Sequence, residues 1–342
     1  MITNVYGEKG LVYGDLHLSD RFTGRHKNYL ANCFSVMIDI EKQCEECKPS
    51  FIVFLGDLVG LHERNIRNRQ VLLQICTFFN KLNVMTGGNV FVVKGNHDTG
   101  DFPEYQFLSG LGYFKTMKDC EGGFFDYYSS KEAPEPEIRF HLIDFGSEKR
   151  ELEVLGGNAG NIALGHNNYT IPGYTNWYNE HDGIELSRLS NLVGVDMLIS
   201  GHIHNPSPEL ISTEMVGGGT CALFYPGCPT RPSVDQGKYE SVYYMKFEYS
   251  ESDKATNWDA LDFVLEPAEN LFFQDDEFLD DLDEDAIEEK MRVEALHEVL
   301  GDILRCRMTA GNVFNQVRAI PNASDEAKDI ACGYLQVAMD SV

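Results

Sequence analysis

The apolar positions of the chain fall into short continuous runs rather than into alternating patterns. Six runs lie in the first 200 residues, at 11–13, 51–55, 90–93, 140–143, 162–164 and 196–200. Runs of this length, bounded by turn formers, are typical of strands buried on both faces of a sheet. The intervals are long enough for crossover helices, and residues 28–47 and 70–84 show helical apolar spacing. The pattern predicts a layered α/β domain rather than a β-sandwich.

Five of the six runs end in a glycine followed directly by residue types that bind metal ions. These residues are Asp15 and His17, Asp57, Asn96 with His97 and Asp98, His166, and His202 with His204. Each one alone is more often a turn residue or an ordinary core histidine, but the carboxyl ends of parallel strands meet at one rim. We expect the five endings to converge there, with each glycine letting the chain turn sharply off its strand.

The chemistry of these groups narrows the metal. Carboxylate, imidazole and amide oxygen, without thiolate, suit manganese, iron or a similar ion in six-fold geometry better than a structural zinc. The groups are too many for one ion. Two divalent ions sharing a carboxylate account for them, and that arrangement hydrolyses phosphate esters. Manganese is the favoured ion, with magnesium, iron and zinc as alternatives.

The ordered motifs D-x-H, GD, GNHD, H and GHxH resemble the calcineurin-like metallophosphoesterases over roughly residues 10–205. This resemblance implies a four-layer α/β/β/α sandwich with two metal positions bridged by Asp57. The implied ligands are Asp15, His17, Asp57 and His204 for one metal, and Asp57, Asn96, His166 and His202 for the other. His97 would protonate or stabilise the leaving oxygen, and Asp98 would orient His97.

Further stretches favour a nuclease within that family. GNHD instead of GNHE, and no DRG after Asp57, differ from the protein Ser/Thr phosphatases. Residues 221–249 resemble the segment that follows GHxH in SbcD-type DNA repair nucleases, and residues 315–342 are similar to the C-terminus of the phage T4-like small nuclease subunit. The resemblance implies a metal-dependent DNA exo/endonuclease subunit that works with an SMC-like ATPase of the SbcC type in DNA repair and recombination. A homodimer stays open.

Two other functions stay open at this point. The first is a small-molecule phosphodiesterase or phosphatase of the same fold. The second is a scaffold subunit that keeps the fold without turnover, against which the intact ligand set counts. Nucleases of this group often carry a histidine or aspartate where this chain has Gly60, and His62 either replaces it or is an ordinary loop residue.

The net charge of −26 weighs against strong DNA binding by the chain alone. Six cations nevertheless follow the first two motifs, where phosphates would approach the metals. These predicted phosphate contacts are Arg21, Arg25, Lys27, Arg64, Arg67 and Arg69. Ordinary solvated side chains are the alternative interpretation. We therefore expect stable DNA binding to need the ATPase, which this chain cannot replace because it has no P-loop.

Charge and apolar spacing predict three regions. Residues 1–268 form the metallophosphoesterase nuclease domain, residues 269–286 an acidic linker, and residues 287–342 a helical partner-binding module. The helices of this module alternatively pack on the catalytic domain or on each other. The linker is expected to be a solvated tether, with DNA mimicry as the alternative.

The nine scattered cysteines and the absence of an export signal predict reduced thiols in a cytoplasmic protein of a bacterium or phage-infected cell. No stretch is apolar enough to predict a membrane span. Cys44 and Cys47 form a lone C-x-x-C in a helix-like stretch, where half-buried thiols are favoured over a zinc site.

Overall fold

The computed structural model describes residues 3–20, 26–59, 66, 68–98, 103–157, 159–171, 183–207, 210–232, 241–250, 255–265 and 267–272. The predicted linker beyond residue 272 and the predicted helical module lie outside these residues. The strands are β1 Thr3–Tyr6, β2 Lys9–Tyr13, β3 Phe51–Phe54, β4 Val90–Val92, β5 Lys115–Thr116, β6 Phe124–Tyr128, β7 Ile138–Ile143, β8 Gly160–His166, β9 Tyr169–Thr170, β10 Ile184–Glu185, β11 Met197–Gly201, β12 Ile211–Glu214, β13 Thr220–Phe224, β14 Tyr243–Ser250 and β15 Ala255–Asp262.

All six apolar runs are strands, and they divide between two sheets. The first three runs form β2, β3 and β4, which pair in parallel in a six-stranded sheet of order β15-β14-β2-β3-β4-β5. The last three form β7, β8 and β11, also mutually parallel, in a seven-stranded sheet of order β1-β6-β7-β8-β11-β13-β12. A separate pair, β9 and β10, completes the strand pairing of the described residues.

The helices are α1 Tyr29–Cys47, α2 Arg69–Met85, α3 Pro103–Gly110 and α4 Ala268–Leu271. Asn28 caps α1 by accepting a bond from the Ala31 amide at 3.1 Å, and Asn68 caps α2 by accepting one from Gln70 at 2.9 Å. Both predicted helical stretches are therefore confirmed within one or two residues. Their apolar faces cover the outer face of the six-stranded sheet.

Successive side chains of each central strand point to opposite faces of the sheet and so pack into two different hydrophobic cores. In β3, Ile52 and Phe54 face the helices, whereas Phe51 and Val53 face the other sheet. Between the sheets, Phe91 stacks on Phe125 with ring centroids 4.1 Å apart, and Phe125 stacks on Phe140 at 4.9 Å. This aromatic layer fills the space between the two sheets and holds them together.

The outer face of the seven-stranded sheet is covered differently. Leu186, Leu189 and Leu192 pack on it from two 3₁₀ turns, Leu186–Arg188 and Ser190–Leu192. In the described residues this fourth layer is thus made of 3₁₀ turns and loops, because the segments after β7 and before β11 form no α-helix there. The predicted α/β fold class is confirmed, and no helix of the described residues is long and apolar enough to cross a membrane.

Candidate metal centre

The five polar endings meet at one end of the sandwich, although their strands belong to two sheets. Gly201 pairs in register with His166 in the seven-stranded sheet, and Tyr13 pairs with Phe54 in the six-stranded sheet. The two parallel sets end side by side, so the loops after β2, β3, β4, β8 and β11 face each other across the gap between the sheets. The residues of this rim come from positions more than 180 apart in the sequence.

The structure brings together the four residues expected to hold the first metal. The Nε2 atoms of His17 and His204 lie 3.0 Å apart. His204 Nε2 lies 3.4 Å from Asp15 Oδ2, and His17 Nε2 lies 3.7 Å from Asp57 Oδ2. Donor atoms this close, aimed at a common point, are the arrangement that one ion needs.

The second expected set is also assembled. His166 Nε2 lies 3.3 Å from Asp57 Oδ2 and 2.9 Å from Asn96 Oδ1. His202 Nδ1 lies 2.9 Å from the same Asn96 oxygen. Asp57 Oδ2 therefore borders both sets, which is the place a bridging carboxylate must occupy. Asp15 belongs to the first set but also lies near the second, since its Oδ1 is 3.7 Å from His166 Nδ1.

Backbone amides hold the two buried carboxylates. The His202 amide donates to both oxygens of Asp15 at 3.1 and 2.9 Å, and the His97 amide donates to Asp57 Oδ1 at 2.9 Å. His166 Nδ1 lies 2.6 Å from the Leu55 carbonyl. A carbonyl can only accept, so Nδ1 carries a proton and Nε2 faces the cluster, as a ligating imidazole requires.

Three of the ligand residues have strained backbones. His17, Asp57 and His202 have φ of 46°, 46° and 77°, in the left-handed region that residues with a Cβ seldom adopt. Strain of this kind costs on the order of 1–3 kcal/mol per residue and gathers at functional sites. Its concentration on three rim residues indicates that ligand direction, rather than local stability, determines the conformation of these loops.

Two of the glycines before the ligands, Gly95 and Gly201, have a different role from the predicted sharp turn. Among the five, Gly56 alone has positive φ, at 102°. At Gly95 a Cβ would overlap the carboxylate and amide of Asp57, and at Gly201 it would overlap Asp15 Oδ1 and the Leu55 carbonyl. Glycine is needed at these two positions because ligand loops from different strands approach the backbone too closely for any side chain.

The electrostatics of the cluster suit cation binding. Burial would lower the pKa of His166, but the carboxylates of Asp57 and Asp15 raise it to about 9. Burial also tends to raise the pKa of Asp57, but the neighbouring histidines, His166 foremost, hold it well below its usual value. Burial, then the nearby His166, lowers the pKa of His202 to about 4. At neutral pH the metal-free centre therefore contains an ionised Asp57 and a neutral His202, and His166 keeps a proton that a metal ion would have to displace.

His97 and Asp98 occupy the loop after β4. The His97 ring is half-buried at the rim, with its centroid 5.4 Å from that of His17. The Asp98 carboxylate accepts bonds from the amides of Leu58 at 3.3 Å and Gly95 at 3.0 Å. In the described residues these amides, rather than the His97 ring, are the hydrogen-bond partners of Asp98. It thus braces two ligand loops, and its influence on His97 stays a prediction.

The predicted phosphate contacts are only partly described. Lys27 is half-buried, with its amide donating to the Leu271 carbonyl at 2.6 Å, and Arg69 is exposed at the first residue of α2. Arg21, Arg25, Arg64 and Arg67 lie outside the described residues, as do Gly60 and His62. A phosphate-binding role for all six cations stays a prediction.

Sequence reasoning did not identify the residues that support the ligand loops. Thr230 Oγ1 donates to the Leu16 carbonyl at 2.8 Å. The Tyr29 hydroxyl lies 3.0 Å from the His17 carbonyl and 3.1 Å from Thr230 Oγ1, and its single proton is shared between these two acceptors. Thr230 and Tyr29 are both buried. Thr230 lies in the segment 221–249 that resembles the one following GHxH in SbcD-type nucleases, but the sequence does not show which hydroxyl meets which carbonyl.

The residues present fit two divalent cations. Within the described residues, groups able to hold a metal recur only at this rim, as Asp15 with His17 and His204 and as Asp15 with Asp57 and His166. The donors are carboxylate, imidazole and amide oxygen, as six-coordinate Mn²⁺ or Fe²⁺ prefer. Cys44 and Cys47 belong to no such group, and all seven described cysteines are free thiols.

Comparisons with curated proteins and with solved structures give only distant structural matches. No curated protein gave a significant match. Among solved structures, a single mutant of Vps29 from Entamoeba histolytica matches at 17% identity and TM-score 0.32, covering 75% of this chain and 99% of that one. Wild-type Vps29 of the same organism complexed with Zn²⁺ matches at 16% identity and TM-score 0.32, covering 74% and 98%. At this similarity, these structures carry no information on activity.

A family model described as calcineurin-like phosphoesterase matches residues 9–206. The matched region contains all five polar endings and covers more than half of the chain. It ends directly after the last ligand motif, His202 and His204. The chain therefore belongs to the calcineurin-like phosphoesterase family.

Proposed function

We propose that this chain is a metal-dependent DNA exo/endonuclease subunit that hydrolyses phosphodiester bonds at the rim and works with an SMC-like ATPase in DNA repair or recombination. The observation that carries the hydrolytic part is the position of Asp57 Oδ2, 3.7 Å from His17 Nε2 and 3.3 Å from His166 Nε2. One carboxylate thereby joins two complete ligand sets.

Each part of the centre has a role in the proposed reaction. Asp15, His17, Asp57 and His204 would hold one divalent ion, and Asp57, Asn96, His166 and His202 would hold the other. Two such ions supply a nucleophile at neutral pH and offset the charge that develops on the phosphoryl oxygens. His97, whose backbone amide donates to Asp57 Oδ1, would give a proton to the departing oxygen.

The choice of DNA as substrate rests on the sequence. GNHD without DRG sets this chain apart from the protein Ser/Thr phosphatases and leaves phosphodiesterases and nucleases. The segment at 221–249 resembles SbcD-type nucleases, and the stretch at 315–342 resembles the phage T4-like small nuclease subunit. The strongest argument for a small-molecule phosphodiesterase is the net charge of −26, which disfavours a polyanionic substrate. We propose that the partner ATPase supplies most of the DNA-binding surface, so that the acidic charge of this chain does not prevent cleavage of DNA.

The test is cleavage of an end-labelled linear duplex and of a single strand by the purified chain with Mn²⁺. Asp57→Asn removes the shared ligand with little change in shape, and we expect it to abolish cleavage. Asp259→Asn is the matched control, since it removes the same charge from an exposed position on the edge strand β15. We expect this control to keep full activity.

Three outcomes separate the candidates. Cleavage that only Asp57→Asn abolishes supports the nuclease. Turnover of a bis-aryl phosphodiester without cleavage of either DNA, even after addition of the SMC-like ATPase, overturns the nuclease in favour of the small-molecule enzyme. Loss of all turnover, with metal still bound, would support the scaffold subunit instead.

A further inference from the structure

The fourth apolar run also reaches the rim, although it carries no expected ligand. It forms β7, which pairs in parallel with β8 and places Ile143 opposite Gly165, one residue before His166. The residues that follow β7 must therefore emerge beside the second ligand set. Phe145 is the second of them, and its side chain is 37% exposed.

The Phe145 ring lies against the ligand histidines. Its centroid is 6.2 Å from that of His202, with an interplanar angle of 36°, and 6.4 Å from that of His166. Phe145 keeps 37% of its surface open to solvent at the mouth of a polar, cation-binding centre, so burial in the core does not account for the whole ring. Its open face points to a use for the ring outside folding.

The loop that carries Phe145 is held firmly. The Phe145 amide donates to the Lys94 carbonyl at 2.8 Å, and the Lys94 amide donates to Asp144 Oδ1 at 2.9 Å. Lys94 directly precedes the Gly95–Asn96 ligand loop, so these two bonds tie Phe145 to the ligands themselves.

The other side of the loop is held through one carboxylate. Glu148 Oε1 accepts from the Gly146 amide at 2.7 Å and from Asn167 Nδ2 at 2.6 Å. Asn167 follows the ligand His166. The loop is therefore fixed on both sides of Phe145, and a preorganised ring loses little entropy when it meets a planar partner.

We infer that Phe145 is a stacking platform for a nucleobase of the substrate, next to the phosphodiester held at the metals. This inference rests on the proposed function and adds a binding subsite to it. Aromatic side chains bind single-stranded nucleic acid by stacking on base faces, without preference for sequence. An aromatic ring also suits this acidic protein, because stacking adds affinity without a positive charge.

The test compares two oligonucleotides of equal length and charge, with Mn²⁺ present. One carries thymine on every residue, and the other is abasic throughout. We expect the wild-type KM to be about tenfold lower for the thymine strand, the effect of roughly one stacked base. Phe145→Ala should abolish that difference without changing kcat on the abasic strand, and Phe145→Trp should restore it.

Tyr6→Ala is the matched control. Tyr6 is 41% exposed and stacks on Tyr128 at 5.2 Å, but it lies on β1, three strands away from β8. We expect this variant to keep the wild-type preference for the thymine strand. An equal loss in Tyr6→Ala and Phe145→Ala would overturn the inference, because it would show a general effect on stability.

Failure of this inference and failure of the proposed function are distinguishable. Equal wild-type KM values for the two strands, with both cleaved, would overturn the stacking platform and leave the nuclease in place. Absence of cleavage of both strands, even after addition of the SMC-like ATPase, would overturn the nuclease and the inference with it. A fall in kcat on the abasic strand in Phe145→Ala would instead assign the ring to holding His202 and His166.

Discussion

Gly201→Ala tests whether close approach at the rim is what the metal centre requires. A Cβ at Gly201 would overlap Asp15 Oδ1 and the Leu55 carbonyl and would lie 2.9 Å from His166 Nδ1. None of these atoms can move easily. Asp15 is held by the His202 amide, and His166 by the Leu55 carbonyl itself. The strand end must therefore shift, and two ligands must shift with it.

The expected size follows from that geometry. Overpacking of a well-packed interior costs about 1–3 kcal/mol, and in a domain of this size that lowers Tm by about 2–12 °C. Displacing the groups that orient metal ligands weakens metal binding about 10- to 100-fold. At a metal concentration 100 times the wild-type Kd, metal stabilises the wild type by about 2.7 kcal/mol and the variant by about 0.4–1.4 kcal/mol.

The assay is thermal unfolding with and without Mn²⁺, beside Gly110→Ala. Gly110 is the last residue of α3, and a Cβ there meets nothing within 4 Å. The control should keep the full metal-dependent rise in Tm and gain a few tenths of a kcal/mol from reduced unfolded-state entropy, up to about 1 kcal/mol. A Gly201→Ala protein with wild-type Tm and wild-type metal response would refute the argument from close approach.

Three further predictions concern charge and thiols. Arg139 and Asp126 form a buried bidentate ion pair at 2.7 and 2.9 Å. Arg139→Met should lower the free energy of unfolding, measured in urea, by about 3–5 kcal/mol, because it leaves the Asp126 charge buried and unpaired. The double variant with Asp126→Leu should lose clearly less, and equal losses in the two variants would contradict this. Because the pKa of His166 is about 9 in the metal-free centre, ligation at pH 7 should release at least one proton, and apparent affinity should rise about tenfold per pH unit up to about pH 9. Calorimetry in two buffers of different ionisation enthalpy measures the proton count, and a count of zero would refute it. Burial raises the pKa of Cys44 to about 12, so a thiol reagent should label Cys47 and spare Cys44 in the native protein. Added zinc should leave this labelling unchanged. Loss of Cys47 labelling on addition of zinc would contradict the absence of a zinc site at these two cysteines.

Much of the strand pattern and the rim could be predicted from the sequence because both depend on short-range signals. Each apolar run became a strand, and each ligand lies within four residues of the end of its strand. A short-range pattern cannot show which strands share a sheet. The division of β2, β3 and β4 from β7, β8 and β11 depends on contacts between distant residues, such as the stacking of Phe91 on Phe125.

The role of the glycines and the supporting residues could not be read from the sequence for the same reason. At Gly201 the apparent turn signal reflects crowding by Asp15 and Leu55, which are more than 140 positions away. Thr230 and Tyr29 look like ordinary residues in the sequence, since only the fold brings their hydroxyls to the ligand loops. The position of Phe145 could not be predicted, because its apolar run at 140–143, unlike the other five, is not followed by a glycine and a ligand.

The most direct test of the two-metal centre is the number of Mn²⁺ ions bound per chain, measured by calorimetric titration and by elemental analysis of the dialysed protein. We expect two ions for the wild type and at most one for Asp57→Asn, because Asp57 Oδ2 borders both ligand sets. Asp259→Asn should still bind two. A wild type that binds a single ion, or an Asp57→Asn protein that retains two, would contradict the shared-carboxylate centre.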